Sequence, residues 1–295
     1  MSMTDFGGVV AAVPTPFDDQ GRIDTAAFIE HASWCLSNGC DALNVLGTTG
    51  EANSLSFEQR SAVMAAAAEA LDTSRLMVGT GTPDLETTIA LTALAHHLGY
   101  AAALVLPPYY YKPASDDGLF AWFERLIRST AKSPIAIYLY NFPQMTGITF
   151  SPAFVARLAE AFPDRIRGAK DSSGDLDYAR QLAAIPNFSV FPSNEATLAD
   201  AGAHNYAGTI SATVNIAPVL SARLWQDQAD APLQDRVLQL RQAISANPLI
   251  PSVKYLVAKR SGNPVWLNAA PPQPLLAEEH RSSLDLLAAR LHQPE

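Results

Sequence analysis

Gly8-Val9-Val10-Ala11-Ala12-Val13-Pro14-Thr15-Pro16-Phe17 is an apolar run that stops in a turn carrying two prolines. A doubly wound open sheet usually follows its first strand with a glycine-rich turn that holds a dinucleotide or phosphate. Pro14-Thr15-Pro16-Phe17 is no such cradle. The other architecture that begins with a buried strand and alternates strands with helices is the closed α/β barrel. Working outward, short apolar or β-branched runs recur at Ala42–Leu46, Leu76–Gly79, Ala102–Leu106, Ile135–Tyr140, Ile166–Lys170, Phe188–Phe191 and Gly208–Ser211. Helical periodicity follows nearly every one, near 24–38, 57–71, 84–98, 116–131, 151–161, 175–184 and 194–202. Asp24, Ser56, Ser115 and Ser151-Pro152 read as helix starts, since their side chains or a first-turn proline suit the unpaired N–H groups there. Eight strands in strict alternation with helices predict an α/β fold of the (β/α)8 barrel type.

After Ala212 the pattern becomes all-helical, near 217–228, 232–246, 250–261 and 276–292, with the connector Pro271-Pro272-Gln273-Pro274 before the last helix. The expected organisation is a barrel over 1–215 and a C-terminal helical extension over 216–295, packed on the barrel or on a neighbouring subunit. A length of 295 residues fits this, because one such barrel takes roughly 250. Hydrophobic residues at 48% and charged residues at 17% describe a packed globular chain. A net charge of −9 argues against nucleic acid or an anionic membrane as partner. The start MSMTDFGGVV has neither the basic segment nor the apolar core of a signal peptide, and no apolar stretch approaches a membrane span. Cys35 and Cys40 are expected as small buried side chains in a reduced cytoplasmic protein.

The chemistry of such barrels sits at the C-terminal ends of the strands. The sixth candidate strand ends in Lys170, one of only five lysines, most of which fall on expected loops and helix ends. A lysine taken out of water loses proton affinity and can serve as an amine nucleophile for Schiff-base chemistry. The preceding strand ends in Tyr140-Asn141-Phe142-Pro143, placing a phenol one βα unit away, suited to shuttling protons. The second ends in Gly47-Thr48-Thr49-Gly50-Glu51, two hydroxyls and a run of N–H groups able to grip a small carboxylate. The seventh runs into Pro192-Ser193-Asn194-Glu195, where Asn194 and Glu195 can bind polyol hydroxyls or simply start the next helix. The histidines at 31, 96, 97, 204, 280 and 292 fall mostly on expected helices or rear loops, a poor arrangement for a metal-dependent aldolase.

Gly47-Thr48-Thr49-Gly50-Glu51, Tyr140-Asn141-Phe142-Pro143, Lys170 with Ser172-Ser173-Gly174-Asp175, Gly208-Thr209-Ile210-Ser211 and Val253-Lys254-Tyr255 occur in order along nearly the whole chain. Together they resemble the dihydrodipicolinate synthase / N-acetylneuraminate lyase family of class I pyruvate-type aldolases. The resemblance implies a (β/α)8 barrel, a homotetramer built as a dimer of dimers, and Schiff-base chemistry on pyruvate or another 2-oxo acid with an aldehyde partner, without metal or cofactor. It makes Lys170 the Schiff-base lysine and Tyr140 the proton shuttle. Thr48 and Thr49 would hold the 2-oxo acid carboxylate, Tyr110 would be a relay tyrosine lent across a subunit interface, and the carbonyl of Ile210 would face the reacting carbon.

Two departures bear on specificity. The synthases carry an arginine shortly after the Tyr-Asn-x-Pro run to receive the second substrate's carboxylate, whereas this chain reads Gln144-Met145-Thr146-Gly147. Methionine cannot make a bidentate carboxylate contact. Ala52, Asn53, Phe57, Arg60 and Pro83 do not reproduce the family's lysine-feedback pattern. The motif is most similar to the family's 2-keto-3-deoxy sugar-acid aldolases. The expected activity is cleavage of an unphosphorylated 2-keto-3-deoxy sugar acid to pyruvate and an aldehyde, with Ser172, Asn194 and Glu195 near the distal hydroxyls. The alternatives are 4-hydroxy-tetrahydrodipicolinate synthase, a keto-deoxy sugar-acid dehydratase, N-acetylneuraminate lyase, and a sugar-acid-binding barrel without catalysis.

Overall fold

The computed structural model describes residues 6–291; residues 1–5, the first of the stretch read for a signal peptide, and 292–295, His292 among them, lie outside the described residues. Eight parallel strands lie in the order β7-β6-β5-β4-β3-β2-β1-β8. They are β1 Gly8–Ala12, β2 Ala42–Val45, β3 Leu76–Gly79, β4 Ala102–Val105, β5 Ala136–Asn141, β6 Ile166–Asp171, β7 Ser189–Pro192 and β8 Gly208–Ser211. The seam between β7 and β8 is bridged by Ala207 N donating to the Val190 carbonyl at 2.9 Å, an ordinary ladder distance. Two hydroxyls add to it: Thr209 Oγ1 donates to Pro192 O at 2.7 Å and Ser193 Oγ to Ile210 O at 3.0 Å. The result is the (β/α)8 barrel with helices around it and helices after it.

The helices are α1 Thr25–Ser37, α2 Phe57–Ala70, α3 Leu85–His97, α4 Asp116–Ser129, α5 Pro143–Thr146, α6 Pro152–Ala161, α7 Leu176–Ala183, α8 Ala201–His204, α9 Pro218–Gln226, α10 Ala231–Ser245, α11 Leu249–Ser261 and α12 Glu278–Leu291. Asp24, Ser56, Ser115 and Ser151 each accept an N–H of the first turn, and Ser56 with Gln59 forms a reciprocal capping box. Two local differences from the sequence reading stand out. Pro143–Thr146 is a single helical turn, too short to show periodicity. The helix expected over 194–202 is instead a tight three-residue-per-turn segment, Glu195–Asp200, running into the short α8.

Side chains alternate across each strand, so the barrel has two cores. Val10, Ala12, Met77, Leu104, Tyr138 and Phe191 are among those filling the inside. Phe6 closes the N-terminal end against the rings of Tyr138 and Phe191, 6.0 and 6.2 Å away. Val9, Ala11, Leu43, Ile137, Leu139 and Ala169 point outward into the layer beneath the helices. Helix α9 lies over β1, so the chain goes on clothing the barrel past residue 216. Farther along, Val253, Val257, Trp266 and Leu284 make a separate apolar cluster that also takes in Ala27 and Ala212. Cys35 and Cys40 are buried and free. Lys254 departs from the expected placing of lysines: it sits inside α11 with 1% of its surface exposed. No helix among the described residues is long and apolar enough to cross a membrane.

Candidate active site

Lys170 owes its position to an irregularity lower in the strand. Ile137 pairs with Ile166, but Tyr138 pairs with Gly168, so Arg167 is an extra residue on β6. Such a bulge re-aims the side chains beyond it. Gly168 and Lys170 thereby face inward beside Tyr138 and Tyr140, and Tyr140 stands opposite Lys170 in the register. Gly168 has to be glycine: a Cβ there would fall 2.1 Å from Ser189 O and 2.6 Å from the Tyr138 ring. Lys170 is 4% exposed, and its Nζ lies 4.6 Å from the centre of the Tyr140 ring. Among the described residues it has no ion pair. Tyr140 is buried, its ring stacked on Phe142 at 5.7 Å.

The Tyr140 hydroxyl reaches across to Thr48 Oγ1 at 3.2 Å, which joins the ends of β2 and β5. The turn that carries Thr48 and Thr49 is held in an uncommon shape. Leu46 before it and Glu51 after it both adopt left-handed backbone, with φ of 55° and 54°. That conformation is disfavoured for a bulky side chain and persists only where the surroundings enforce it. Two enforcing contacts are visible. Leu46 O packs against Gly79, where a Cβ would come within 2.0 Å of it. The Glu51 carboxylate is wholly buried and accepts from Lys254 Nζ at 2.6 Å and from Ala270 N at 2.7 Å. Burial pushes the Lys254 ammonium below its ordinary value, and the adjoining Glu51 charge opposes that shift. Lys254 also lies 4.6 Å from the Phe17 ring centre, just past the proline turn. A small pocket opens beside this turn, lined by Gly47, Thr48, Gly79, Leu104 and Tyr140 among others.

A second run of hydroxyls borders Lys170 on the side of β7 and β8. Ser193 Oγ donates to Ile210 O at 3.0 Å, and Ser172 Oγ lies 2.8 Å from Ser193 Oγ. Ser193 has a single proton and spends it on the carbonyl, so Ser172 is the donor in the bond they share. Met145, on α5 immediately after the Tyr140 strand end, is 65% exposed. Beside it Lys112 Nζ donates to Thr146 O at 3.0 Å.

The structure thus brings Lys170, Tyr140 and Thr48 together and puts Ser172 and Ile210 on one hydroxyl chain with Ser193. Thr49 is buried in the same turn as Thr48. Three other expected site residues stand apart from this group within the single chain. Tyr110 is 72% exposed, edge-on to Tyr111 at 5.2 Å, and has no hydrogen bond among the described residues. Asn194 caps the following segment by accepting from Ala196 N at 3.0 Å. Glu195 is buried and already taken: Ser211 Oγ donates to it at 2.7 Å, Arg241 at 3.0 Å, and Thr213 also donates. Arg241 lies 46 residues from Glu195 and gave no sign in the sequence. The pair Asn141 and Asp171, directly behind Tyr140 and Lys170, was likewise missed; Asn141 Nδ2 donates to Asp171 Oδ1 at 2.7 Å. Burial raises the Asp171 carboxyl above its ordinary value, against the bonds it accepts from Asn141 and Ser173. No group of three or more His, Cys, Asp or Glu among the described residues is placed to hold a metal ion.

A buried lysine amine, a phenol over it and a hydroxyl-lined turn at the C-terminal end of an eight-stranded barrel define a Schiff-base lyase of the class I aldolase type. The profile of the Dihydrodipicolinate synthetase family matches residues 5–290, and the chain belongs to that family. It is 34% identical over 268 residues to 4-hydroxy-tetrahydrodipicolinate synthase of Agrobacterium fabrum, covering 88% of this chain and 90% of the relative. The crystal structure of dihydrodipicolinate synthase from Agrobacterium tumefaciens superimposes with a TM-score of 0.90 at 33% identity, over 97% of this chain and 99% of that one. YagE, a prophage protein of this family from Escherichia coli K12 solved in complex with pyruvate, gives 0.88 at 28% identity, over 98% and 99% of the two chains.

Proposed function

We propose that this enzyme cleaves an unphosphorylated 2-keto-3-deoxy sugar acid to pyruvate and an aldehyde, and runs the same step in reverse. The observation that carries the reading is Met145, exposed at the rim one turn beyond Tyr140. An apolar thioether there offers a distal carboxylate no bidentate partner. The Ser172 oxygen, whose proton goes to Ser193, can accept from a polyol hydroxyl, and Thr48 adds a neutral hydroxyl. With Glu195 bound to Arg241, polyol recognition rests on these hydroxyls.

In this mechanism the Lys170 amine adds to the C2 ketone, and Tyr140 gives its phenolic proton to the carbinolamine hydroxyl, which leaves as water and yields an iminium that withdraws electrons from C3. The Tyr140 phenolate then takes the proton of the C4 hydroxyl, the C3–C4 bond breaks, and its electron pair becomes the enamine. The aldehyde departs, Tyr140 returns the proton to C3, and water adds to the iminium, its proton going back to the phenolate as pyruvate is released from Lys170. The carboxylate sits against the Thr48-Thr49-Gly50 turn, whose N–H groups and hydroxyls suit an anion. Ile210 O faces the reacting carbon, and a homotetramer would bring Tyr110 of one subunit to a neighbour's site.

A second reading has two specific supports. Relatives at 33 to 35% identity are named 4-hydroxy-tetrahydrodipicolinate synthase, and Lys112 places a cation near Met145. The deciding experiment is borohydride trapping with pyruvate and peptide mapping, followed by a panel of sugar acids against aspartate semialdehyde. An adduct on Lys170 with sugar-acid cleavage is expected. Faster turnover of aspartate semialdehyde would transfer the reading to the synthase, and no adduct would end the Schiff-base reading altogether.

A further inference from the structure

Tyr140 faces Lys170 in the β5–β6 register, and the next pair toward the site, Asn141 and Asp171, is in register as well. Because successive side chains alternate faces, the first pair points into the barrel and the second points out beneath the helices. Asn141 and Asp171 are 0% and 3% exposed. Their side chains bond directly across the two strands at 2.7 Å. The remaining acceptors are used too. Asn141 Oδ1 takes Phe150 N at 3.2 Å, while Asp171 takes Ser173 N at 3.1 Å and Ser173 Oγ at 2.8 Å. Ser172 N donates to the Asn141 carbonyl at 2.8 Å, after which the two chains part into their loops.

We propose that Asn141 and Asp171 are positioning residues that clasp the ends of β5 and β6 and thereby set the distance and angle between the Tyr140 phenol and the Lys170 amine. The proposal rests on the Schiff-base reading above. Each clasp residue is covalently next to one reacting residue, so a change in strand spacing at the clasp passes to Tyr140 and Lys170 within one Cα. Between the two strands, among the described residues, no backbone bond follows that of Ser172 N, the loops beyond being joined by Gln144 Nε2 donating to Ser173 O at 2.7 Å, and an amide-to-carboxylate bond sheltered from water is stronger than a neutral one. The outer layer has a fastening of its own, since Tyr178 Oη donates to Phe150 O at 2.9 Å. The clasp is therefore not what keeps that layer in place.

The roles can be exchanged without losing the bond between the strands. In the double variant Asn141→Asp/Asp171→Asn, the carboxylate on β5 accepts from Phe150 N and from the new amide on β6, whose oxygen still accepts from Ser173 Oγ; the bond given up is the one from Ser173 N, which shares Oδ1 with Asn141 in the parent. Asn141→Asp alone sets two carboxyl groups against each other. The readout is the rate of pyruvate adduct formation on Lys170 by borohydride trapping, per mole of folded protein, alongside kcat, KM and melting temperature. Asn141→Asp is expected to slow trapping and kcat about 10- to 100-fold with little change in KM, as misplacement of reacting groups by about an ångström does. The double variant should return to within about threefold of the parent, well inside that misplacement range. Trapping at the parent rate in folded Asn141→Asp would overturn the proposal. So would a double variant that regains the melting temperature but not the rate. If Asn141→Asp does not fold, the double variant alone decides by its rate. Failure of the parent itself to trap pyruvate would instead sink the Schiff-base reading, which keeps the two failures apart.

Discussion

Lys170 and Lys254 are both withdrawn from water, yet their surroundings are opposite in kind. Lys254 is locked to a wholly buried carboxylate, Glu51, and lies over the face of Phe17. Lys170 meets the ring of Tyr140 and has no ion pair among the described residues. One ammonium is committed to a permanent partner and shapes the turn that carries Thr48 and Thr49. The other is left with its nitrogen free to form a bond to carbon. Burial is common to both; the presence of a dedicated counter-charge separates the structural lysine from the proposed nucleophile.

The sharpest way to break this comparison is Lys170→Ala. It is expected to reduce turnover to background while leaving the melting temperature near that of the parent, and undiminished activity would remove Lys170 from the mechanism. Tyr140→Phe should still trap pyruvate but lose about 10²- to 10⁴-fold in kcat, the usual worth of a positioned acid–base group; kcat within a few-fold of the parent would assign proton transfer elsewhere. On the Lys254 side the effect is on stability. Glu51→Gln strands a buried ammonium and should cost about 3–5 kcal/mol in denaturant unfolding, whereas Glu51→Leu combined with Lys254→Met should cost much less. Equal losses in the two variants would show that the charge pair itself is not what matters. The smallest effect is expected from Met145→Arg, a several-fold rise in any use of aspartate semialdehyde with no change in pyruvate trapping. No rise would mean that the rim around Met145 does not select the second substrate.

The parts of this molecule that were legible in the sequence are those written locally. Strand ends, the capping residues Asp24, Ser56, Ser115 and Ser151, and the lysine closing β6 all announce themselves within a few residues. The parts that were not legible join distant positions. Lys254 meets Glu51 across 203 residues, and nothing in the helical pattern of 250–261 marks it as buried with a carboxylate. Glu195 read as a polyol ligand or a helix start because its partner Arg241 belongs to a distant helix. Asn141 and Asp171 stood in plain view beside Tyr140 and Lys170, but the bulge at Arg167 had to be seen before the two pairs could be put in register.

The contact between Glu51 and Lys254 also has a consequence for the order of events during synthesis. Glu51 emerges from the ribosome early and its ammonium partner only near the end of the chain, with Ala270 N later still. Domains generally fold as units, and here the turn of Thr48 and Thr49 lacks its buried counter-ion until residue 254 has been made. A chain released before that point leaves the Glu51 carboxylate without the ammonium that holds it, so the shape of this turn depends on the end of synthesis as much as on its beginning.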